Sequence, residues 1–180
     1  MNHGKPCIIL GVTGGIAVYK AADLCSKLTH QGYDVHVVMT EHAIRLISER
    51  IFFTLSGNPV LTDLFSIPEG KPEHVRLAEI ADLLVVAPCT ANFIGKFANG
   101  IADDALTTTA ITHRGAVLLA PAMNTNMWDA PALQANLATL RSRGIHFIGP
   151  EKGILACGTE GIGRMSEPAD ILKKIMEILP

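Results

Sequence analysis

Lys5-Pro6-Cys7-Ile8-Ile9-Leu10-Gly11-Val12-Thr13-Gly14-Gly15-Ile16-Ala17 decides the fold. The run from Lys5 to Leu10 is apolar, partly β-branched and closed by glycines, the pattern of a buried strand. From about Ile16 to His30, apolar Ala17, Ala21, Leu24 and Leu28 recur on one helical face, and Gly32 stops the helix. Tyr33 to Met39 is a second strand, with Val35, Val37 and Val38 as its apolar content. Strand, helix and strand in this order predict a parallel pair with a right-handed crossover. The glycines of the first turn let the backbone approach a phosphate, and the helix start supplies N–H donors. The same turn is also compatible with no ligand. It is neither a GxGxxG fingerprint nor a Walker A loop.

The alternation continues outward. Thr40 reads as the N-cap of a helix over Glu41 to Ile47. Ile51 to Leu61 is apolar but broken by Gly57-Asn58-Pro59, which leaves its type open. Ser66 to Pro72 reads as loop, and His74 to Ile80 as a short helix. Leu83 to Val86 is a buried strand ending at Ala87-Pro88. Helices are expected over Phe93 to Asn99 and Asp104 to Thr112, then a strand over Ala116 to Ala120. Pro131 to Arg143 is a helix stopped by Gly144, and Ile145 to Ile148 a further strand. Gly149 to Met165 reads as a glycine-rich loop carrying Cys157. Pro168 to Leu179 closes the chain as an amphipathic helix. Neither a repeat nor a linker interrupts the series, so residues 1–180 are expected to form a single α/β domain.

Composition narrows the function. The chain has 180 residues, 48% of them hydrophobic, and a net charge of −2; its mean hydropathy is +0.31. No apolar stretch approaches a membrane span, so the apolar surplus is assigned to the core and to a subunit interface. A slightly acidic chain without a basic stripe argues against nucleic acid as a partner. The first six residues lack an apolar signal-peptide core, so a cytoplasmic protein is expected. Cys7, Cys25, Cys89 and Cys157 show no CxxC spacing, which points to reduced thiols rather than a disulfide framework or a zinc site.

Polar residues cluster where strands are expected to end. Pro121-Ala122-Met123-Asn124-Thr125-Asn126-Met127-Trp128 follows the strand at Ala116 and mixes two Met, two Asn and the only Trp. A pocket uses that mixture as adaptable apolar walls with amide donors and acceptors. Asn124 as a simple helix cap is the plainer reading. Thr90 and Asn92, in Ala87-Pro88-Cys89-Thr90-Ala91-Asn92-Phe93, can bond the edge of a planar polar ring. Thr40 offers a hydroxyl to a phosphate or merely caps its helix; Glu41 is placed for a ribose diol. Asp103-Asp104 suits a helix start. His74 titrates near neutrality if exposed, and Cys157 in Leu155-Ala156-Cys157-Gly158 can exchange a proton near a cofactor.

Taken together, Gly11-Val12-Thr13-Gly14-Gly15-Ile16-Ala17, His74-Val75-Arg76-Leu77-Ala78, Ala87-Pro88-Cys89-Thr90-Ala91-Asn92, Gly100-Ile101-Ala102-Asp103-Asp104, Pro121 to Trp128 and Leu155-Ala156-Cys157-Gly158 resemble the homo-oligomeric flavin-containing cysteine decarboxylases over nearly the whole chain. The resemblance implies a three-layer, Rossmann-like or flavodoxin-like doubly wound parallel sheet. It implies FMN held by Gly14, Gly15, Ile16, Thr40, Thr90, Ala91, Asn92 and Phe93, and a homotrimer or a dodecamer of trimers with sites at subunit contacts. For the members serving coenzyme A biosynthesis, it implies decarboxylation of 4′-phospho-N-pantothenoylcysteine to 4′-phosphopantetheine. The thiol is oxidised to a thioaldehyde, CO₂ leaves and the enethiol is reduced again. His74 matches the catalytic histidine, Asn124 the residue holding the substrate carboxylate, and Cys157 the proton donor; Met127 is assigned to substrate positioning. A synthetase, fused or separate, would make the substrate. Two departures stand out: His42-Ala43-Ile44-Arg45-Leu46 lacks an aromatic common there, and Ala105 replaces a commoner leucine. Related alternatives are a peptidyl-cysteine decarboxylase, a flavin prenyltransferase and a non-catalytic flavin-binding regulator of a phosphatase. An NAD-binding module built on Gly14, Gly15 and Glu41 leaves the Asn124 and Cys157 segments unexplained.

Overall fold

The computed structural model describes residues 5–65 and 72–179. Five parallel strands form the central sheet: β1 (Cys7–Val12), β2 (Asp34–Met39), β3 (Leu83–Cys89), β4 (Ala116–Pro121) and β5 (His146–Phe147), in the order β2-β1-β3-β4-β5. This is the doubly wound order whose strands reverse direction of travel at β1 and β3, leaving a crevice outside their carboxyl ends.

Near-continuous apolar strands are explained by burial on both faces. On one face Ile8, Leu10, Val12, Val35, Val37, Val85 and Leu118 meet helices α1 (Val18–His30), α3 (Glu49–Ser56) and α9 (Pro168–Ile178) through Leu24, Phe52 and Ile171. On the other, Ile9, Val38, Leu84, Val86 and Leu119 meet α4 (Glu73–Ile80), α5 (Ala91–Ala98), α6 (Ala105–Thr112) and α8 (Pro131–Ser142) through Leu77, Phe93, Leu106 and Leu137. Odd and even strand positions thus serve different layers. Each fully buried Leu or Phe contributes roughly 1.5–3 kcal/mol of transfer free energy.

Several expectations need correction. The helix expected over Glu41 to Ile47 is a single turn, α2 (Glu41–Ile44), capped by Thr40 Oγ1, which accepts from Ala43 N at 3.3 Å. The ambiguous run Ile51 to Leu61 divides. Ser48 caps α3, Gly57 ends it in the left-handed conformation, and Leu61 bridges to Val38 at the free side of β2. β3 continues through Pro88 to Cys89, past its expected end. Within Pro121 to Trp128 lies one helical turn, α7 (Thr125–Trp128). The largest difference is Gly149 to Met165. It is a two-stranded antiparallel hairpin, β6 (Glu151–Ile154) and β7 (Glu160–Arg164), with Cys157 in its turn. Its glycines lower β-propensity and disguise the strands. The expected loop Ser66 to Pro72 lies, except for Pro72, outside the described residues. No helix among the described residues is long and apolar enough to cross a membrane.

Candidate active site

Two turns at the carboxyl edge build the floor of a site. After β1 the chain runs through Gly14-Gly15-Ile16-Ala17 before α1 begins; after β3 it turns at Thr90 into α5. The buried Thr13 hydroxyl ties the turns together: it donates to Pro88 O at 2.7 Å and accepts from Thr90 N at 3.1 Å. Thr90 Oγ1 in turn caps α5. Gly14 is required by close approach, since a Cβ there would lie 2.3 Å from His42 Cβ on α2.

The wall opposite comes from the β4–α7 connection and the hairpin. Met123 N donates to Gly163 O at 2.9 Å, stitching β7 to the segment after β4. Asn124 Oδ1 accepts from Asn126 N at 2.8 Å and caps α7. That cap fixes the amide orientation, so Nδ2 is turned to Cys157 Sγ, 3.6 Å away. Asn124 is therefore both the helix cap and a wall of the pocket. Cys157 Sγ also lies 3.1 Å from Thr159 Oγ1. These contacts, Thr159 first, hold the exposed Cys157 thiol below its ordinary pKa. The other three cysteines are held as neutral thiols. Burial first, then the carboxylates of Asp34 and Asp82, pushes Cys7 up to about 12; burial pushes Cys25 up to about 11 and holds Cys89 well above its ordinary value.

Between floor and wall lies a cavity of about 580 Å³, within the usual range for small-molecule sites. Gly14, Gly15, Ile16, Thr90, Ala91, Asn124, Met127 and Cys157 all line it, so eight of the residues singled out in the sequence converge. Others do not. Thr40 is occupied in capping α2. Asn92 is exposed and outside the cavity lining. Phe93 is in the core, stacked on Phe97 at 5.6 Å. His74 is the second residue of α4, which packs against α6, while its neighbours Glu73 and Arg76 act on His36, Cys7 and Asp34. It is not part of this chain's cavity wall.

The structure adds residues that sequence reasoning missed. Lys20 and Arg164 line the cavity and share the Glu167 carboxylate, Lys20 Nζ at 2.7 Å and Arg164 Nη2 at 3.2 Å. Two cations against one carboxylate leave a positive surplus on the wall. Lys20 stands among the apolar positions of α1, and only its buried place beneath Met165 marks it. Thr159 had no signal beyond its distance of two residues from Cys157.

A sheet in this order, with a side-chain-free turn, threonine-capped helices and an apolar cavity at its carboxyl edge, defines a flavodoxin-like α/β protein with a cofactor-sized pocket. The chain belongs to the Flavoprotein family, whose profile matches residues 1–179. It is 50% identical over 169 residues to the coenzyme A biosynthesis bifunctional protein CoaBC of Bacillus subtilis (strain 168), covering 92% of this chain and 41% of that protein. Against the CoaBC of Mycobacterium bovis it is 46% identical over 164 residues, 91% of this chain and 39% of the relative. The chain thus spans about two fifths of the length of these relatives. Among solved structures, a PPC decarboxylase mutant complexed with pantothenoylaminoethenethiol superposes with a TM-score of 0.86 at 30% identity, over 97% of this chain and 98% of the other. The FMN-dependent cysteine decarboxylase SpaF gives 0.85 at 30% identity, over 98% and 99%.

Proposed function

We propose that this chain, as one flavoprotein unit over residues 1–180, is an FMN-dependent decarboxylase acting on 4′-phospho-N-pantothenoylcysteine in coenzyme A biosynthesis. One observation carries the reading: Asn124 Nδ2 and Cys157 Sγ stand 3.6 Å apart on one wall of a cavity whose floor is the Gly14–Gly15 turn. The pocket fits a flavin mononucleotide. The turn presents backbone without side chains, Ile16, Met123, Met127 and Leu155 offer flat apolar contact, and Lys20 with Arg164 supplies surplus positive charge for a phosphate.

Cysteine has no sink for the electrons left when CO₂ departs. A flavin held there would create one: by accepting two electrons from the substrate thiol it would leave a C=S group to receive that electron pair, and by returning them afterwards it would leave no net redox change. The chain's residues do the rest. Asn124 Nδ2–H donates to the substrate carboxylate and fixes the bond that breaks. Met127 packs against the substrate. Cys157 Sγ–H gives the proton that completes reduction of the enethiol, and its lowered pKa makes it the better acid. The Thr159 contact maintains that state. Thr159→Val is therefore expected to slow alkylation of Cys157 by iodoacetamide at fixed neutral pH and to move the alkylation profile to higher pH. Thr159→Ser restores the wild-type profile.

His74 enters this scheme from a neighbouring copy. Ile16 and Tyr19, 69% and 64% exposed at the cavity rim, are apolar surface that a homotrimer, or a dodecamer built from trimers, would cover. Complementation tests the assignment: His74→Ala and Asn124→Ala are each expected to be inactive, and mixing them after subunit exchange is expected to restore part of the activity. Failure of exchanged mixtures to recover would overturn the assignment of His74 to a site completed by a neighbouring copy. The cytoplasm is the matching compartment, and a synthetase, fused or separate, the matching partner. The decisive assay incubates the yellow protein with the phosphorylated substrate and follows products by mass spectrometry. Formation of phosphopantetheine supports the reading; no CO₂ from this substrate, with CO₂ from a peptide ending in cysteine, would replace it with the peptidyl-cysteine reaction.

A further inference from the structure

The amino edge of the sheet, opposite the cavity, carries a second cluster of reactive groups. Cys7 opens β1 and Asp34 opens β2, and the two are direct partners in the parallel ladder, with Ile9 opposite His36. Positions 34 and 36 lie two apart on one strand, so their side chains share a face. The Cys7 sulfur, an Asp34 carboxylate oxygen and a His36 ring nitrogen all lie within 4.8 Å of one another. Cys7 and His36 are buried, each 6% exposed. Asp34 is half-buried and leaves an entry path.

Neighbouring groups orient the three. Asn58 Nδ2 donates to Asp34 Oδ1 at 2.8 Å, which turns Oδ2 toward His36 Nε2 at 3.2 Å. Asp82 Oδ2 accepts from Cys7 N at 2.7 Å. α4 covers this face and contributes Glu73 and Arg76, bonded to each other at 3.0 Å from Nε to Oε2. Among the described residues, Asp34 and Asp82 act on the Cys7 sulfur against Arg76, and Glu73 acts on His36. Among the described residues the carboxylates therefore outnumber the cation.

We propose that Cys7, Asp34 and His36 form a binding site for a divalent cation of borderline softness, Zn²⁺ by preference. Thiolate, imidazole and carboxylate together select Zn²⁺ over Mg²⁺ or Ca²⁺, which take oxygen ligands. In a tetrahedral zinc site neighbouring ligand atoms are roughly 3.4–3.6 Å apart, from metal–ligand bonds of about 2.0–2.3 Å. The ligand atoms, within 4.8 Å of one another, would draw together to reach that spacing. The ion takes the place of the Cys7 thiol proton and of the hydrogen bond between His36 Nε2 and Asp34 Oδ2; two protein anions then balance its charge, and water fills the fourth position. It would clip the starts of β1 and β2. The sequence gives no hint of this, because the ligands come from two strands rather than from a CxxC pair.

The test is titration of the flavin-loaded protein with Zn²⁺ against a chromophoric chelator, and with Co²⁺, whose ligand-field bands lie at longer wavelength than flavin absorption. All proteins carry Cys157→Ser, so the exposed thiol cannot compete. One equivalent per chain is expected, with affinity reduced at least about tenfold by Cys7→Ser and by His36→Ala, and with a Zn²⁺-dependent rise in unfolding temperature lost in both. Far-ultraviolet circular dichroism and flavin content verify the fold of each, and Asp34→Asn serves if Cys7→Ser misfolds. Absence of stoichiometric binding, or binding indifferent to these substitutions, overturns the proposal.

Discussion

Cys157→Ser is expected to halt the reaction one step from completion: CO₂ is still released, while phosphopantetheine formation falls by roughly 10²–10⁴-fold, the range for losing a positioned proton donor. Serine keeps the size of the side chain and its bonds to Thr159 and Asn124. It does not keep the acidity. A hydroxyl holds its proton far more tightly than this thiol, which lies below its ordinary value. The enethiol, or its oxidised form, should therefore accumulate. Because Cys157 is exposed in a hairpin turn, stability should change by no more than about 0.5 kcal/mol. Mass spectrometry of products and a thermal melt separate the two effects. Phosphopantetheine formed at the wild-type rate would remove Cys157 from the reaction.

That division between chemistry and stability follows how legible the chain was. β1, α1 and β2 were readable because a fully apolar strand, a helical stripe and a glycine stop agree with one another. The helices α4, α5, α6, α8 and α9 were readable for the same reason. Cys157 was noticed, but not its support. A strand such as Glu160-Gly161-Ile162-Gly163-Arg164 offers one apolar side chain, and its existence depends on docking to Met123 rather than on propensity. Lys20 was hidden because a buried cation leaves no trace in a periodic pattern. His74 was visible as a residue type, but its place on α4, away from the cavity, follows from the doubly wound topology. The Cys7–Asp34–His36 group was invisible for a related reason: parallel register, not sequence distance, brings its members together.

Gly163→Ala carries the second large expected effect, and it acts through architecture alone. Gly163 has φ +155°, and a Cβ there would stand 2.0 Å from Met123 O. The carbonyl is backbone and cannot rotate away without breaking the bond from Met123 N to Gly163 O. β7 must then leave the segment after β4 by more than 1 Å. Asn124 belongs to that segment and Cys157 to the hairpin, so their 3.6 Å contact opens. A misplacement of about 1 Å costs on the order of 10² in rate, and the backbone strain about 1–3 kcal/mol. The hairpin is tied to the sheet by few contacts, so the strain should be relieved by local release rather than by global unfolding. The expected signature is a low-activity protein with a nearly unchanged melting temperature and faster amide exchange over residues 121–128 and 160–164. Full activity in Gly163→Ala would mean that the site tolerates separation of the hairpin from the segment after β4, and the geometric argument for Asn124 and Cys157 acting together would fall with it.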